Sequence, residues 1–423
     1  MTIIWVSWTK REPCSNVTMH EDTVQQLEAG GWLVRRVPPG LVKGLQGPLS
    51  GLTYLAKDLF DVAGLPTIAA SPSNLDTNPA DKDAEAISLL SEAGAKLVGL
   101  SNMDPLAYGF VTDNPLYGPA RNPYDRTRSC GGSSGGSAGA VASGLVDFAL
   151  GTDTSGSIRV PAAFTGVFGL KPTIGLLSAK GVAPLSPTLD RVGLFARDAK
   201  TLRAVVAVLA KGKVTIGHKL TAPRLGRLEG YFFNGLNDDI AQAVDRACNA
   251  LGALETITLP GASKARAAAY IIVAHEAAQS HANALRTRAH SFDPQTRARL
   301  IAASAIPATW VDAARSYQRD FTKRLDEAFG AFDFLIAPTV PCVAPMLKEL
   351  RQPADDRSPY LRATLGLYTQ PISLTGYPVL SVPIDVPGSS LPTALQVIAR
   401  PGGDGALLGY AQTLSLKKKE ALQ

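Results

Sequence analysis

Between Asp83 and Ala93 the apolar positions Ala86, Leu89, Leu90 and Ala93 recur at helical spacing, and Gly94 follows as a stop. Lys96–Leu100 comes next, an apolar run of strand length. Gly51–Gly64 also reads as an apolar strand ending in a turn. The small residues Ala138–Leu145 suit a helix, and Val146–Leu150 a strand. Lys200–Ala210 is helical in pattern and stops at the Lys/Gly break Lys211–Lys213. Residues 236–330 read as mainly helical, most clearly at Asp238–Leu251 and Thr309–Phe329. Phe334–Pro338 and Val379–Pro383 then read as buried strands returning to a sheet. Alternation of strand and helix predicts an α/β layer structure with a mixed or parallel sheet. With no internal repeat and no clean linker, residues 1–423 are read as one domain. Residues 1–45 are read as a short N-terminal appendage, with a helix in Val24–Leu33 that Pro38-Pro39-Gly40 ends.

Composition narrows the class. Hydrophobic residues make up 45% of the 423 and charged residues 18%, a balance that excludes disorder of the whole chain. The net charge of +6 is a weak excess of 42 basic over 36 acidic residues, and no basic run interleaves with aromatics. Nucleic acid is therefore not an expected partner, and Lys417–Lys419 reads as a solvated tail. The four cysteines lie far apart, without a Cys-x-x-Cys pair, so neither a metal site nor a disulfide framework is expected. No run reaches the apolar length of a membrane span and Met1–Thr9 lacks a basic leader. A cytoplasmic protein without a membrane partner or a cofactor is the expectation.

Candidate chemistry concentrates in residues 129–181. Ser129–Ser137 reads SCGGSSGGS, and Gly151–Phe164 reads GTDTSGSIRVPAAF. Such runs occur as linkers, turns and phosphate nests. The first lies directly before packing elements, which argues against a linker and for close backbone approach. No Gly-Lys-Ser/Thr follows, as a P-loop needs, and no Gly-x-Ser-x-Gly elbow with a clear downstream histidine is present. The five histidines are scattered and read as surface or structural. Lys57 is a lone base in TYLAKDLFDVAG, Ser133 and Ser134 sit between glycine pairs, and Ser157 follows Gly156. A serine hydrolase with a lysine base fits these residues, since burial lowers a lysine's pKa. The backbone N–H groups of Thr154-Ser155-Gly156-Ser157 would face an oxyanion.

Taken together, GGSSGGSAGAVASG (Gly131–Gly144) and GTDTSGSIRVPAAFTGVFGLKPT (Gly151–Thr173) resemble the joint motif of the amidase signature family. KDLFDVAGLPT, YGPARNPYD, SPTLDRVG, LIAPTVPC and LTGYPVLSVP extend the likeness over roughly Gly51–Leu408. The resemblance implies a mixed β-sheet core covered by helices on both faces, with residues 129–181 as its centre and residues 236–330 as its variable helical region. It implies a Ser–cisSer–Lys triad of Ser157 as nucleophile, Ser133 as bridge with a cis peptide bond, and Lys57 as base. Asp153 and Arg159 would hold the turn. It further implies hydrolysis of an amide C–N bond through an acyl-enzyme, with no metal or other cofactor.

Within that family the likeness is to the 1-carboxybiuret hydrolases, carried by Asn102–Asp125, RTRAHSFDP and Leu365–Pro383. The implied substrate is a small amide or urea-type compound. The alternatives are a general aliphatic or aryl amidase, or an ammonia-releasing subunit of an amidotransferase. A homodimer or a small helper subunit would be the protein partner. An anionic substrate needs a cation in its pocket. Arg286, Arg288 and Arg315 are the candidates from the helical region, with Arg288 preferred, alongside Met103 and Tyr108 as pocket residues. Pro105 and Leu106 depart from the family pattern, as does the short segment before Lys57. If Lys57 is the base, kcat/KM is expected to climb to an alkaline pKa.

Overall fold

The computed structural model describes residues 20–420, except 39, 43–44, 216, 218–221, 253 and 352–360. The reading of residues 1–19, Cys14 included, lies outside the described residues.

Among the described residues thirteen strands follow in chain order: β1 Leu33–Arg36, β2 Thr53–Lys57, β3 Lys96–Ser101, β4 Asp113–Asn114, β5 Gly118–Pro119, β6 Phe148–Asp153, β7 Phe168–Lys171, β8 Arg191–Ala196, β9 Leu225–Glu229, β10 Glu255–Thr258, β11 Phe334–Pro338, β12 Val379–Asp385 and β13 Pro392–Ile398. Strands β4 and β5 form a small ribbon, and the other eleven make one sheet ordered β1-β3-β2-β6-β8-β7-β12-β13-β11-β9-β10. The sheet is mixed. β3, β2 and β6 are mutually parallel, whereas β6, β8, β7 and β12 run antiparallel in turn.

Both faces of the sheet are covered. Tyr54 and Ala56 of β2 belong to one apolar cluster and Leu55 between them to another; Phe148, Leu150 and Ala149 of β6 divide the same way. Successive strand residues point to opposite faces, so two clusters mean two packed layers. The helices Glu85–Glu92 and Ala199–Leu209 pack on the first face through Ile87, Leu90, Leu202 and Val206. The helix Gly135–Ala142 packs on the second through Ala138 and Val141. Fully buried strands need not alternate in sequence, which is why β2, β3 and β6 read as continuous apolar runs.

The N-terminal segment corrects one expectation. Its described part is not an appendage, because β1 pairs antiparallel with β3 at the sheet edge and Trp32 is buried. The helix there ends at Ala29 rather than Leu33, since Gly30 and Gly31 release the chain into the strand. Residues 236–330 likewise contain β10 beside the expected helices.

Candidate active site

Parallel β2 and β6 deliver their C-terminal ends to one place, where open α/β sheets bind ligands. Lys57 ends β2 and is completely buried. Its Nζ donates to Ser133 Oγ at 2.7 Å and to Thr152 Oγ1, on β6, at 2.9 Å. No carboxylate pairs with it among the described residues. Burial therefore dominates and lowers its pKa from 10.5 to about 7, against the opposing charges of Asp104, Asp190 and Asp153.

Ser133 sits in the turn before the 135–142 helix, and the Gly132–Ser133 peptide bond is cis. Glycine is required at 132: a Cβ there would lie 2.1 Å from Asp104 Oδ2 and 2.5 Å from the Val111 nitrogen. The same Asp104 oxygen accepts the Val111 and Thr112 N–H groups, and the Asp104 N–H donates to the Ser133 carbonyl at 3.2 Å, which ties this segment to the serine turn.

The turn after β6 is built on Asp153. Its Oδ1 accepts the Gly156 N–H at 2.8 Å, and its Oδ2 accepts those of Ile158 and Arg159 at 3.3 and 3.4 Å. Arg159 closes the arrangement with Nε to Oδ2 and Nη2 to Oδ1, both 3.0 Å, in an ion pair with no exposed side chain on either partner. Burial pushes the Asp153 carboxyl up, but Arg159 outweighs it and holds the pKa below the usual range. Arg159→Met is expected to destabilise the fold by about 3–5 kcal/mol, because it strands a buried charge; denaturant unfolding measures this. Gly156 has φ +136, and a Cβ there would meet Thr369 Oγ1 at 2.2 Å.

One expectation is corrected here. The Gly156 N–H is spent on Asp153 and is not available to an oxyanion. Among the described residues the Thr154, Ser155 and Ser157 N–H groups have no hydrogen-bond partner. Thr154 donates its hydroxyl to Asp190 Oδ1 at 2.5 Å. Ser157 is 4% exposed and, with Thr154 and Ser155, lines a cavity of about 260 Å³. Its hydroxyl is not hydrogen-bonded to Ser133 in this structure, although the two turns touch: the Ser134 N–H donates to the Ser157 carbonyl at 3.3 Å. Hydrogen bonds of this kind commonly close only around bound substrate.

The structure sorts the expected substrate contacts. Tyr108 lines the cavity, whereas Met103 is fully buried in the core and does not. Arg288 does not line it either, because its Nε donates to the Ser73 carbonyl at 2.9 Å. Arg286 is exposed, and Arg315 pairs with Glu276. The cavity arginines are Arg266, Arg299 and Arg362. Arg362 lies 3.9 Å from the Asp113 carboxylate. Among the described residues Arg266 bonds to neutral acceptors, Gln370 Oε1 at 2.8 Å and the Ala363 carbonyl at 2.6 Å. Arg299 stacks on the Tyr108 ring, 3.6 Å from its centroid, and donates to the Tyr108 carbonyl. No histidine lines the cavity among the described residues, and His281 packs edge-on to Phe292 with burial lowering its pKa to about 4. No group of His, Cys, Asp and Glu among the described residues could hold a metal, and no helix among them is long and apolar enough to cross a membrane.

A family model described as Amidase matches residues 35–408. The chain belongs to the amidase family. This amidase is 38% identical over 392 residues to AtzE, a 1-carboxybiuret hydrolase subunit from Pseudomonas sp. strain ADP, covering 87% of this chain and 84% of that one. It is 32% identical over 428 residues to a glutamyl-tRNA(Gln) amidotransferase subunit from Carboxydothermus hydrogenoformans, covering 91% and 87%. Among solved structures, the inhibitor-bound form of a vestigial complex described as revealing the origins of an s-triazine catabolic enzyme superposes with a TM-score of 0.86. That match has 33% identity and covers 94% of each chain. The expected mixed α/β fold and amide-hydrolase class of this amidase stand on these matches.

Proposed function

We propose that this amidase hydrolyses a C–N bond of a small, carboxylated urea-type compound, similar to 1-carboxybiuret, with Ser157 as nucleophile. The observation that carries the chemistry is the buried Lys57–Ser133 hydrogen bond behind the cavity that Ser157 lines. A neutral Lys57 takes the Ser133 hydroxyl proton while Ser133 takes that of Ser157. Ser157 Oγ then bonds to the carbonyl carbon, whose π electrons move to oxygen. The Ser155 and Ser157 N–H groups receive that oxyanion. Collapse breaks the C–N bond, and the proton held on Lys57 returns through Ser133 to the leaving nitrogen. Water deacylates Ser157 by the same relay in reverse.

Substrate charge rests on Arg266 and Arg299. Among the described residues Arg266 and Arg299 bond to neutral acceptors, while Asp104, Asp113 and Asp293 also line the cavity, and a substrate carboxylate would give either guanidinium a charge-assisted partner. In this proposal Arg299, which lines the cavity, has the role that the sequence suggests for Arg288. The cavity of about 260 Å³ limits the substrate to a small molecule. A panel of carboxylated ureas, neutral amides, anilides and glutamine tests the reading. Arg299→Ala is expected to raise KM for a carboxylated urea by about tenfold or more and to leave that for a neutral amide nearly unchanged, since a charge-assisted hydrogen bond contributes about 1.5–3 kcal/mol. Equal effects on both would return the assignment to a general amidase. Glutamine turnover only beside a partner would make the chain an ammonia-releasing subunit. Relatives include proteins named as subunits, and a homodimer or helper subunit belongs to the same proposal; native mass with and without substrate tests it.

A further inference from the structure

The helix Ala262–Ser280 carries Arg266, Tyr270 and Val273 into the cavity wall at intervals of four and three residues. Three residues further along the same helix stands Glu276, which is 6% exposed and outside the cavity lining. Its Oε2 accepts the Ser186 hydroxyl at 2.6 Å and the Thr188 N–H at 3.1 Å. Its Oε1 accepts the Thr188 hydroxyl at 2.7 Å and an Arg315 N–H. The loop held this way is short and ends at Asp190. Asp190 Oδ2 accepts the Leu185 and Ser186 N–H groups, each at 2.9 Å, while its Oδ1 accepts the Thr154 hydroxyl. A continuous set of hydrogen bonds therefore runs from the wall helix to the turn that presents Ser155 and Ser157.

We propose, on the assignment of Ser157 and its turn above, that Glu276 is a positioning residue fixing the oxyanion turn relative to the substrate-binding wall through Ser186, Thr188 and Asp190. Burying a carboxylate is costly, and an apolar pair would join a helix to a loop more cheaply. What the charge adds is direction: four short bonds from two loop residues and one arginine define where the loop sits. Burial pushes the Glu276 carboxyl up, but the hydrogen bonds from Ser186 and Thr188 and the Arg315 guanidinium outweigh it, so the group stays below its ordinary pKa and keeps its charge. Placement of the reacting carbonyl against its oxyanion donors is sensitive to small shifts. A wall residue and the oxyanion turn held on one scaffold keep the substrate's two ends in register.

Glu276→Leu removes the tether, and Thr188→Val removes its exposed loop side with less risk to folding. The expected result is a fall in kcat of about tenfold for Glu276→Leu and a smaller fall for Thr188→Val, with KM within about twofold, because the wall itself is untouched. Labelling of Ser157 by a small fluorophosphonate, which needs the turn but not the wall, is expected to slow in parallel. Glu276→Gln keeps an acceptor for Ser186 and is expected to recover part of kcat. Folded Thr188→Val with unchanged kcat and labelling, or a rise in KM alone in either variant, would overturn the proposal. If Glu276→Leu does not fold, Thr188→Val decides by itself. Wild-type protein not labelled at Ser157 would instead overturn the nucleophile assignment, a distinct outcome.

Discussion

Ser157→Ala is expected to lower kcat by roughly three or more orders of magnitude while leaving the folded state intact. The turn does not depend on the lost hydroxyl. Asp153 holds it through the Gly156, Ile158 and Arg159 N–H groups, and Arg159 holds Asp153. The Ser157 side chain takes part in none of these bonds, so unfolding free energy is expected to change by less than about 1 kcal/mol. What disappears is the oxygen that we propose attacks the substrate with the Ser133–Lys57 pair as its base. Ser155 also lines the cavity, and with its neighbours it offers the built-in control: a fluorophosphonate that still labels the Ser157→Ala protein, on Ser155 or elsewhere, would overturn the assignment. The residual rate in the variant reports what the Ser155 and Ser157 N–H groups contribute without a nucleophile, because position 157 keeps its backbone.

The turn was legible in the sequence because its chemistry is local. GTDTSGS places the proposed nucleophile, its proposed backbone donors and the organising Asp153 within seven residues, and the apolar strand before it fixes where it emerges. Lys57 was legible as a single cation at the end of an apolar run. The strands that flank the site were not all legible. Strand β8 begins with Arg191 and contains Gly193, yet its residues are buried; packing on both faces overrides weak local preference. Strand β13 begins with Pro392 and holds Thr393 and Gln396 buried. Proline is tolerated at a strand's first residue. Gln396 is satisfied by Arg159 and by the carbonyls of Pro338 and Tyr368, partners that are remote in sequence. The cavity arginines failed for the same reason. Arg288 precedes the helix Pro294–Ser304 and Arg299 lies within it, and the two look alike in sequence. Which one reaches the cavity depends on the Ser73 carbonyl capturing Arg288 and the Tyr108 ring lying beneath Arg299. A turn's spacing does not reveal which N–H a neighbouring carboxylate takes, so the Gly156 N–H reads in the sequence as an oxyanion donor.

The pH dependence of kcat/KM is expected to rise with unit slope below about pH 7 and to flatten above it, and Lys57→Met is expected to abolish both the limb and most of the activity. This is lower than the alkaline limb that the sequence suggests, and the reason is burial. Nζ is removed from water and faces Asp104, Asp153 and Asp190, whose charges recover only part of the lost solvation, so the pKa falls from 10.5 to about 7. Below that value Lys57 is protonated and cannot accept the Ser133 proton; above it the base is ready at neutral pH, where a relay base is most useful. Asp190→Asn removes one of the charges that raise the Lys57 pKa, so the limb is expected to move to lower pH in that variant. Stability supplies an independent measure of the same group. Between about pH 7 and 10.5 the unfolded chain holds a proton on Lys57 that the folded chain has released, so unfolding free energy gains up to about 1.4 kcal/mol per pH unit from this residue as pH rises through the window. Below pH 7 both states are protonated and the contribution is a constant penalty. The stability difference between wild type and Lys57→Met, followed by urea unfolding from pH 7 to 10, is therefore expected to shift steadily in favour of wild type. A difference independent of pH, together with a kcat/KM limb that survives in Lys57→Met, would show that another group starts the relay.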